Sequence, residues 1–256
     1  MPFQKVQPEK LSASVVRQIE HLILRGILSP GERLPPEREL AERLGVSRPS
    51  LRDAIAELQD RGLLAARAGS GVFIADVLGS AFSPALIQLF ASHHEAVFDY
   101  LSFRRDMEGL AAERAARLGS DYDLQVIQGC FDKMEAANSP TLSEEDARLD
   151  AQFHSAIIDA SHNVIMLHMM RSMFDLLREG VFYNRKIMFH QHTSRRMLLE
   201  QHRAINAALQ ARDPAAARAA VETHLDYVKQ ALTDHQKAEA NAAVAQLRLQ
   251  HEAEKQ

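Results

Sequence analysis

The chain is poor in cysteine. Cys130 is the only one in 256 residues, so an internal disulfide is excluded, as is any multi-cysteine metal site. Long apolar runs are missing as well. No stretch approaches the roughly 18 uninterrupted apolar residues that cross a bilayer, and the opening "MPFQKVQPEK" has no apolar core of the signal-peptide kind. These absences lead to the expectation of a cytoplasmic protein with no membrane partner. An overall basic balance is also lacking, since the net charge is −4. The division of charge along the chain says more than the sum. Residues 1–75 carry 11 Lys/Arg against 9 Asp/Glu, and the remainder carries 19 against 25. The asymmetry has the direction expected of a DNA-reading head on an acidic body.

What is present is a 46% hydrophobic composition, enough for real cores in two ordinary domains. From Leu11 to Leu28, Val15, Val16, Ile19, Leu22, Ile23 and Leu24 recur at helical spacing until "GILSPGERLPP" interrupts. Pro35 and Pro36 then open "ERELAERLG", a short helix closed by Gly45. In "VSRPSLRDAIAELQDRG", Ser47 is the expected N-cap and Leu51, Ala54, Ile55 and Leu58 form the buried stripe. Two helices joined by a tight glycine turn read as a helix-turn-helix. Leu63–Arg67 and Val72–Ile74 read as two short strands joined by "AGSG", a hairpin wing.

Beyond Ala75 no strand signal or internal repeat is found. The fold class expected is mainly α: a winged helix-turn-helix over residues 1–76, a linker over 77–84, and an all-helical bundle over 85–235. Residues 236–256 form a solvated or frayed tail. Breaks are expected at "LGSD", "ANSPT", "SHN" and "ARDP", with Asp213 capping a helix that begins at Pro214.

With Ser47 as cap, Arg48, Ser50 and Arg52 lie in the first turns of the second helix, away from Leu51 and Ile55. In this geometry such residues enter the major groove, where an arginine pairs with guanine through two hydrogen bonds. Arg38 lies over a phosphate, and Arg67 supplies charge to a glycine-rich wing that can approach a minor groove. The plain alternative is a solvated face. The stretch "LSPGERLPPERELAERLGVSRPSLRDAIAELQDRGLLAARAGSGVFI" resembles the winged helix-turn-helix of GntR-type bacterial transcription regulators. That resemblance implies DNA contacts at Arg38, Arg48, Ser50, Arg52 and Gly69. Pro49 departs from the family, whose members often carry a hydrogen-bonding residue there.

In the second half, "DAQFHSAIID" places Asp150 and His154 one turn apart beside Phe153, Ile157 and Ile158. His202 shares an apolar stripe with Leu198, Leu199, Ile205 and Leu209, and His224 shares one with Val221, Leu225 and Val228. A single histidine on such a face is most often a core residue bonded to a carbonyl. One carboxylate and three imidazoles pointing into one core suit a divalent transition ion, Zn, Ni or Mn. The pattern also matches the ligand-binding (FCD-type) domain of the FadR-like branch of GntR regulators, which implies metal ligation by Asp150, His154, His202 and His224. The same resemblance implies that Arg104, four before Glu108, reaches an effector's carboxylate; its other reading is an ordinary helix ion pair. Asn163 is read as a cap, and Met166, Met169, Met170 and Met173 as core or pocket wall. His93, His94, His190, His192, His235 and His251 are read as solvated.

"DMEGLAAERAARLGSDYDLQVIQGCFDKMEAA" and "DASHNVIMLHMMRSMFDLL" are most similar to regulators of glycolate, lactate and pyruvate utilisation. The resemblance implies a homodimer that binds a pseudo-palindromic double-stranded DNA operator and answers to a small 2-hydroxy or 2-oxo carboxylate, glycolate first. Two alternatives stay open. A metal-dependent hydrolase would share the ligand set but needs a general base, and Asp150 is already a ligand; a non-sensing dimerisation module would have its buried polar groups bonded only to each other.

Overall fold

In the computed structural model the chain divides into two compact units, Met1–Gly79 and Ser80–Gln256. The structure describes residues 10–76, 85–86, 89–90, 93–137, 144–178 and 192–254. The expected linker, the break at "ANSPT" and the side chains of His94, His190 and His192 lie outside them.

The first unit is built from α1 (Leu11–Leu24), α2 (Glu37–Leu44), α3 (Arg48–Asp60), β1 (Leu64–Arg67) and β2 (Gly71–Ile74). The α2–α3 turn is fixed by Gly45, whose φ of +65° is left-handed, while Ser47 caps α3 by accepting from Ser50 N. Val15, Val16, Ile19, Leu51, Ala54, Leu58, Leu64 and Ile74 interlock as one core. β1 and β2 pair antiparallel from Leu64–Ile74 to Arg67–Gly71. The strands differ from the expected bounds by one residue at their starts. A larger difference lies upstream: the segment read only as an exit turn forms a third edge of the wing. Arg33 bridges Phe73, and Leu34 N donates to Val72 O at 2.9 Å. Sequence periodicity cannot show a bridge this short, since it holds too few residues to display an alternation.

The second unit holds α4 (His94–Leu118), α5 (Asp121–Ala136), α6 (Glu144–Ala160), α7 (Val164–Arg178), α8 (His192–Gln210) and α9 (Pro214–Glu254). α4 and α9 lie along each other most extensively, because α4 offers Ala111, Ala112, Ala115 and Ala116 to Ala217, Val221 and Leu225. Small residues let the two backbones approach. Their register is fixed by Arg105 with Asp226 at 2.9 Å, Arg218 with Glu113 at 3.0 Å and Lys229 with Ser102 at 2.9 Å. α6 packs on α4 and α5, and α8 on α9 and α5. Phe153, fully buried, contacts Phe131 and His202 at the centre of this packing.

The helix breaks have specific causes. Ser120 and Asp123 form a capping box at α5, Asn163 Oδ1 accepts from Ile165 N and Met166 N at α7, and Asp213 Oδ1 accepts from Ala216 N at α9. Two expectations are corrected here. Met169 is 52% exposed, whereas Met166 and Met170 are buried, so the methionines do not all track one inner face. His235 is half-buried and sits 3.2 Å from Glu239. Helix α9 continues to Glu254, exposed from Lys237 onward. After Pro214 its alanine-rich sequence is free of Gly and Pro and gives the backbone no stop signal.

Each unit has its own core, so damage to one should stay local. Leu51→Ala is expected to cost the first unit about 2–5 kcal/mol, and Phe153→Ala the second about 3–5 kcal/mol. Hydrogen exchange during chemical denaturation checks this; protection lost equally from both units after either change would contradict it.

Candidate metal centre and nucleic-acid interface

Helix α6 brings Asp150 and His154 to one face, α8 brings His202 and α9 brings His224. One ligand atom from each lies within 4.8 Å of every other. His202 Nε2 is 3.3 Å from His154 Nε2 and 3.3 Å from Asp150 Oδ1. The ring centroids of His202 and His224 are 4.4 Å apart, and those of His154 and His224 are 5.3 Å apart and stacked. All three imidazoles are at most 3% exposed, while the Asp150 carboxylate is 25% exposed. The cluster is therefore closed on its histidine side and open at its carboxylate.

These donors fit a divalent ion. Two neighbouring ligands with bonds of about 2.1 Å stand about 3.0–3.4 Å apart, which matches the separations at His202 Nε2. Burial, and then the His202 and His154 rings, hold His224 well below its ordinary pKa. It is thus the neutral imidazole that ligation requires. Gln201 Oε1 accepts from His224 Nδ1 at 3.0 Å, which leaves Nε2 with the lone pair.

Behind His154 stands a second buried pair. Glu108 Oε2 is 2.6 Å from His154 Nδ1, and Glu108 Oε1 accepts from Arg104 Nε at 2.5 Å. Burial pushes the Glu108 carboxyl up, but Arg104 and His154 outweigh it and hold it down at about 2. The Arg104 guanidinium is raised despite its burial, chiefly by Glu108. Arg104 and Glu108 are 7% and 2% exposed. The Arg104–Glu108 helix pair of the alternative reading is present, and it is buried. Asp150 and His224 lie close enough to interact electrostatically with Arg104. Tyr100, whose hydroxyl donates to Met173 O at 3.3 Å, has its ring 6.0 Å from the Arg104 guanidinium.

Glu108 and Gln201 were not found as site residues from the sequence. In the sequence Glu108 stands out only as the partner of Arg104 at i+4. No periodic signal marks Gln201, whose partner His224 is 23 positions away.

In the first unit, Arg48 and Arg52 are exposed on the first turns of α3, and both engage Glu37 of α2, at 3.8 and 2.8 Å. Ser50 is turned back to the cap, with Ser47 Oγ and Ser50 Oγ 2.9 Å apart. Arg38 is exposed on α2. On the wing, Gly69 takes φ +71° at the turn, and Arg67 lies 4.4 Å from the centroid of Phe73. The structure thus groups Arg48, Ser50 and Arg52 at one helix N-terminus and Arg67 with Gly69 on the hairpin. Glu37 was not singled out from sequence, since a glutamate in a first helical turn is ordinary.

Residues 11–74 match the model of bacterial regulatory proteins of the gntR family, and residues 99–227 match that of the FCD domain. The Glc operon transcriptional activator of Escherichia coli (strain K12) is 36% identical over 223 residues, covering 86% of this chain and 88% of the relative. The Uxu operon transcriptional regulator of the same organism is 34% identical over 224 residues, covering 84% of each. Among solved structures, the Streptococcus agalactiae GntR is 27% identical, with a TM-score of 0.51 over 86% of this chain and 99% of that one. Among the described residues no helix is long and apolar enough to cross a membrane. A winged helix-turn-helix followed by an FCD domain, in a chain whose relatives are named as operon regulators, makes this protein a member of the gntR family: a DNA-binding transcription regulator and not an enzyme.

Proposed function

We propose that the chain is a metabolite-responsive regulator whose helical unit holds one divalent ion, Zn, Ni or Mn, through Asp150, His154, His202 and His224. The observation that carries this reading is the convergence of those four donors from three helices within 4.8 Å in an apolar interior. An ion would give the inward-facing nitrogens of the three imidazoles and the Asp150 carboxylate a common partner, which offsets the cost of burying them together.

An ion held by Asp150, His154, His202 and His224 would act as a Lewis acid toward a 2-hydroxy or 2-oxo acid, which could bind it through the carboxylate and the adjacent oxygen. Arg104 supplies the positive charge on that side, its Nε already committed to Glu108. Glycolate is the first effector in this reading, with lactate and pyruvate next. The Glc operon relative supports that choice. The Uxu operon relative, nearly as similar, indicates that family membership alone does not fix the metabolite.

The first unit reads one half of a pseudo-palindromic operator in a homodimer. Arg48 and Arg52 leave Glu37 for base edges or phosphates, Ser50 and Arg38 hold the backbone, and Arg67 with Gly69 carries the wing to the minor groove. Effector binding changes operator affinity by a coupling free energy of about 1–3 kcal/mol.

Three measurements test these assignments. Elemental analysis of purified protein is expected to give one equivalent of transition metal per chain, and well below half an equivalent after His202→Ala or His224→Ala; a metal-free wild type would favour the dimerisation-module reading. Thermal shift with glycolate, lactate, pyruvate and dicarboxylates should raise Tm for one hydroxy or oxo acid, and a chelator should abolish the rise. An acid that stabilises equally in chelator would detach the effector from the ion. Arg48→Ala should weaken operator binding by about 1–3 kcal/mol and flatten discrimination against random DNA, and unchanged discrimination in a gel shift would move base reading elsewhere.

A further inference from the structure

Helix α4 contributes none of the four candidate ligands, yet its Glu108 touches one of them. Glu108 is 2% exposed, 2.6 Å from His154 Nδ1, and clamped from the other side by Arg104 of its own helix. We propose that Glu108 is the positioning residue of the centre: it fixes the His154 ring with a proton on Nδ1 and a lone pair on Nε2, and it ties α4 to the centre's occupancy. This rests on the metal reading above.

The argument is one of donor and acceptor arithmetic. An ionised carboxylate only accepts hydrogen bonds. The carboxylate faces Arg104 Nε with one oxygen and His154 Nδ1 with the other, at 2.6 Å, so it is the acceptor shared by both and the donor role on His154 falls to Nδ1. The lone pair then lies on Nε2, the atom 3.3 Å from His202 Nε2. A carboxylate behind a ligating histidine both sets its tautomer and raises its basicity, and loss of such a partner typically weakens metal binding about 10–100-fold. Gln201 serves His224 in the same way, but it lies on α8, which already supplies His202.

Glu108 differs in what it connects. Ion binding at Nε2 draws charge from the ring and strengthens the Nδ1–H donor, so the contact to Glu108 tightens when the centre fills. Helix α4 runs unbroken from His94 to Leu118 and packs along α9 and α6. A restraint at Glu108 therefore acts on a helix outside the three that supply the ligands.

The test uses the full chain stripped of metal and titrated with Zn2+ against a chromogenic chelator, with hydrogen exchange read on α4, α6, α8 and α9. In the wild type, Zn2+ is expected to slow exchange in all four helices. In Glu108→Gln, Zn2+ affinity should fall about 10–100-fold. At saturating Zn2+ the protection of α6, α8 and α9 should return while that of α4 does not. Unchanged affinity, or full recovery on α4, would overturn the inference and leave the metal reading standing. A wild type that binds no Zn2+ removes the metal reading first, and this one with it. If Glu108→Gln does not fold, long-range nitrogen–proton correlation spectra of histidines in the metal-free wild type decide: Nδ1 of His154 should be protonated, and a bare Nδ1 would refute the assignment.

Discussion

The cost of taking ionisable groups out of water organises the second unit. Three imidazoles, a guanidinium and a carboxylate sit among Phe153, Ile157, Ile205, Leu209 and Val221 with almost no solvent contact. A buried charge without a partner is strongly destabilising, and a buried polar group without a hydrogen bond costs less but still several kcal/mol at the upper end. The structure answers with a chain of partners: Arg104 to Glu108, Glu108 to His154, His154 to His202, and His202 to Asp150. The chain ends at the Asp150 carboxylate, which is the part of the cluster that meets solvent. Buried ion pairs of this kind are weak evidence for net stability. They make better sense as a means of holding ligand atoms in fixed orientation.

That constraint explains which parts were legible beforehand. Asp150 and His154 were visible because i and i+4 share a helix face and the residues between them are apolar. His202 and His224 were visible because a histidine within an aliphatic stripe contradicts the stripe. The second layer was not legible. Arg104 and Glu108 at i and i+4 look like any exposed helix pair, since the spacing states that they are neighbours and says nothing about which way they face. α4 is rich in alanine on its buried side, and alanine gives only a faint apolar signal, so the inward face of this helix is poorly marked. The end of α9 reads as a solvated helix end, because alanine and charged residues alternate there without a breaker. In the head, the hairpin and the recognition helix could be read from the turn glycines and the Ser47 cap. The Arg33 bridge could not, because it depends on one residue meeting a strand about forty positions later.

The head obeys a different economy. Its arginines are exposed and paired with glutamate: Glu37 reaches both Arg48 and Arg52, across the turn held by Gly45. Exposed pairs of this kind are worth about 0–1 kcal/mol each, so they are readily exchanged for phosphate or base contacts. Glu37 therefore gathers the two side chains at the start of α3 at little cost to binding. If Arg48 and Arg52 read bases as proposed, it would also trim the local positive charge, lowering attraction to random DNA and giving the base contacts a larger share of the total.

The two halves thus differ in how firmly their polar groups are held, and the difference fits their tasks. Contacts that must be traded for DNA are solvated and weak. Contacts that must keep three rings in register are buried and linked in series, so a change at one end is felt along the series. Such a series can transmit only if one member lies on an element that is not itself part of the ligand set. Glu108 on α4 meets that condition, and Gln201 on α8 does not. On the reading proposed above, filling the centre would act through this one carboxylate on how tightly the 25-residue α4 is held.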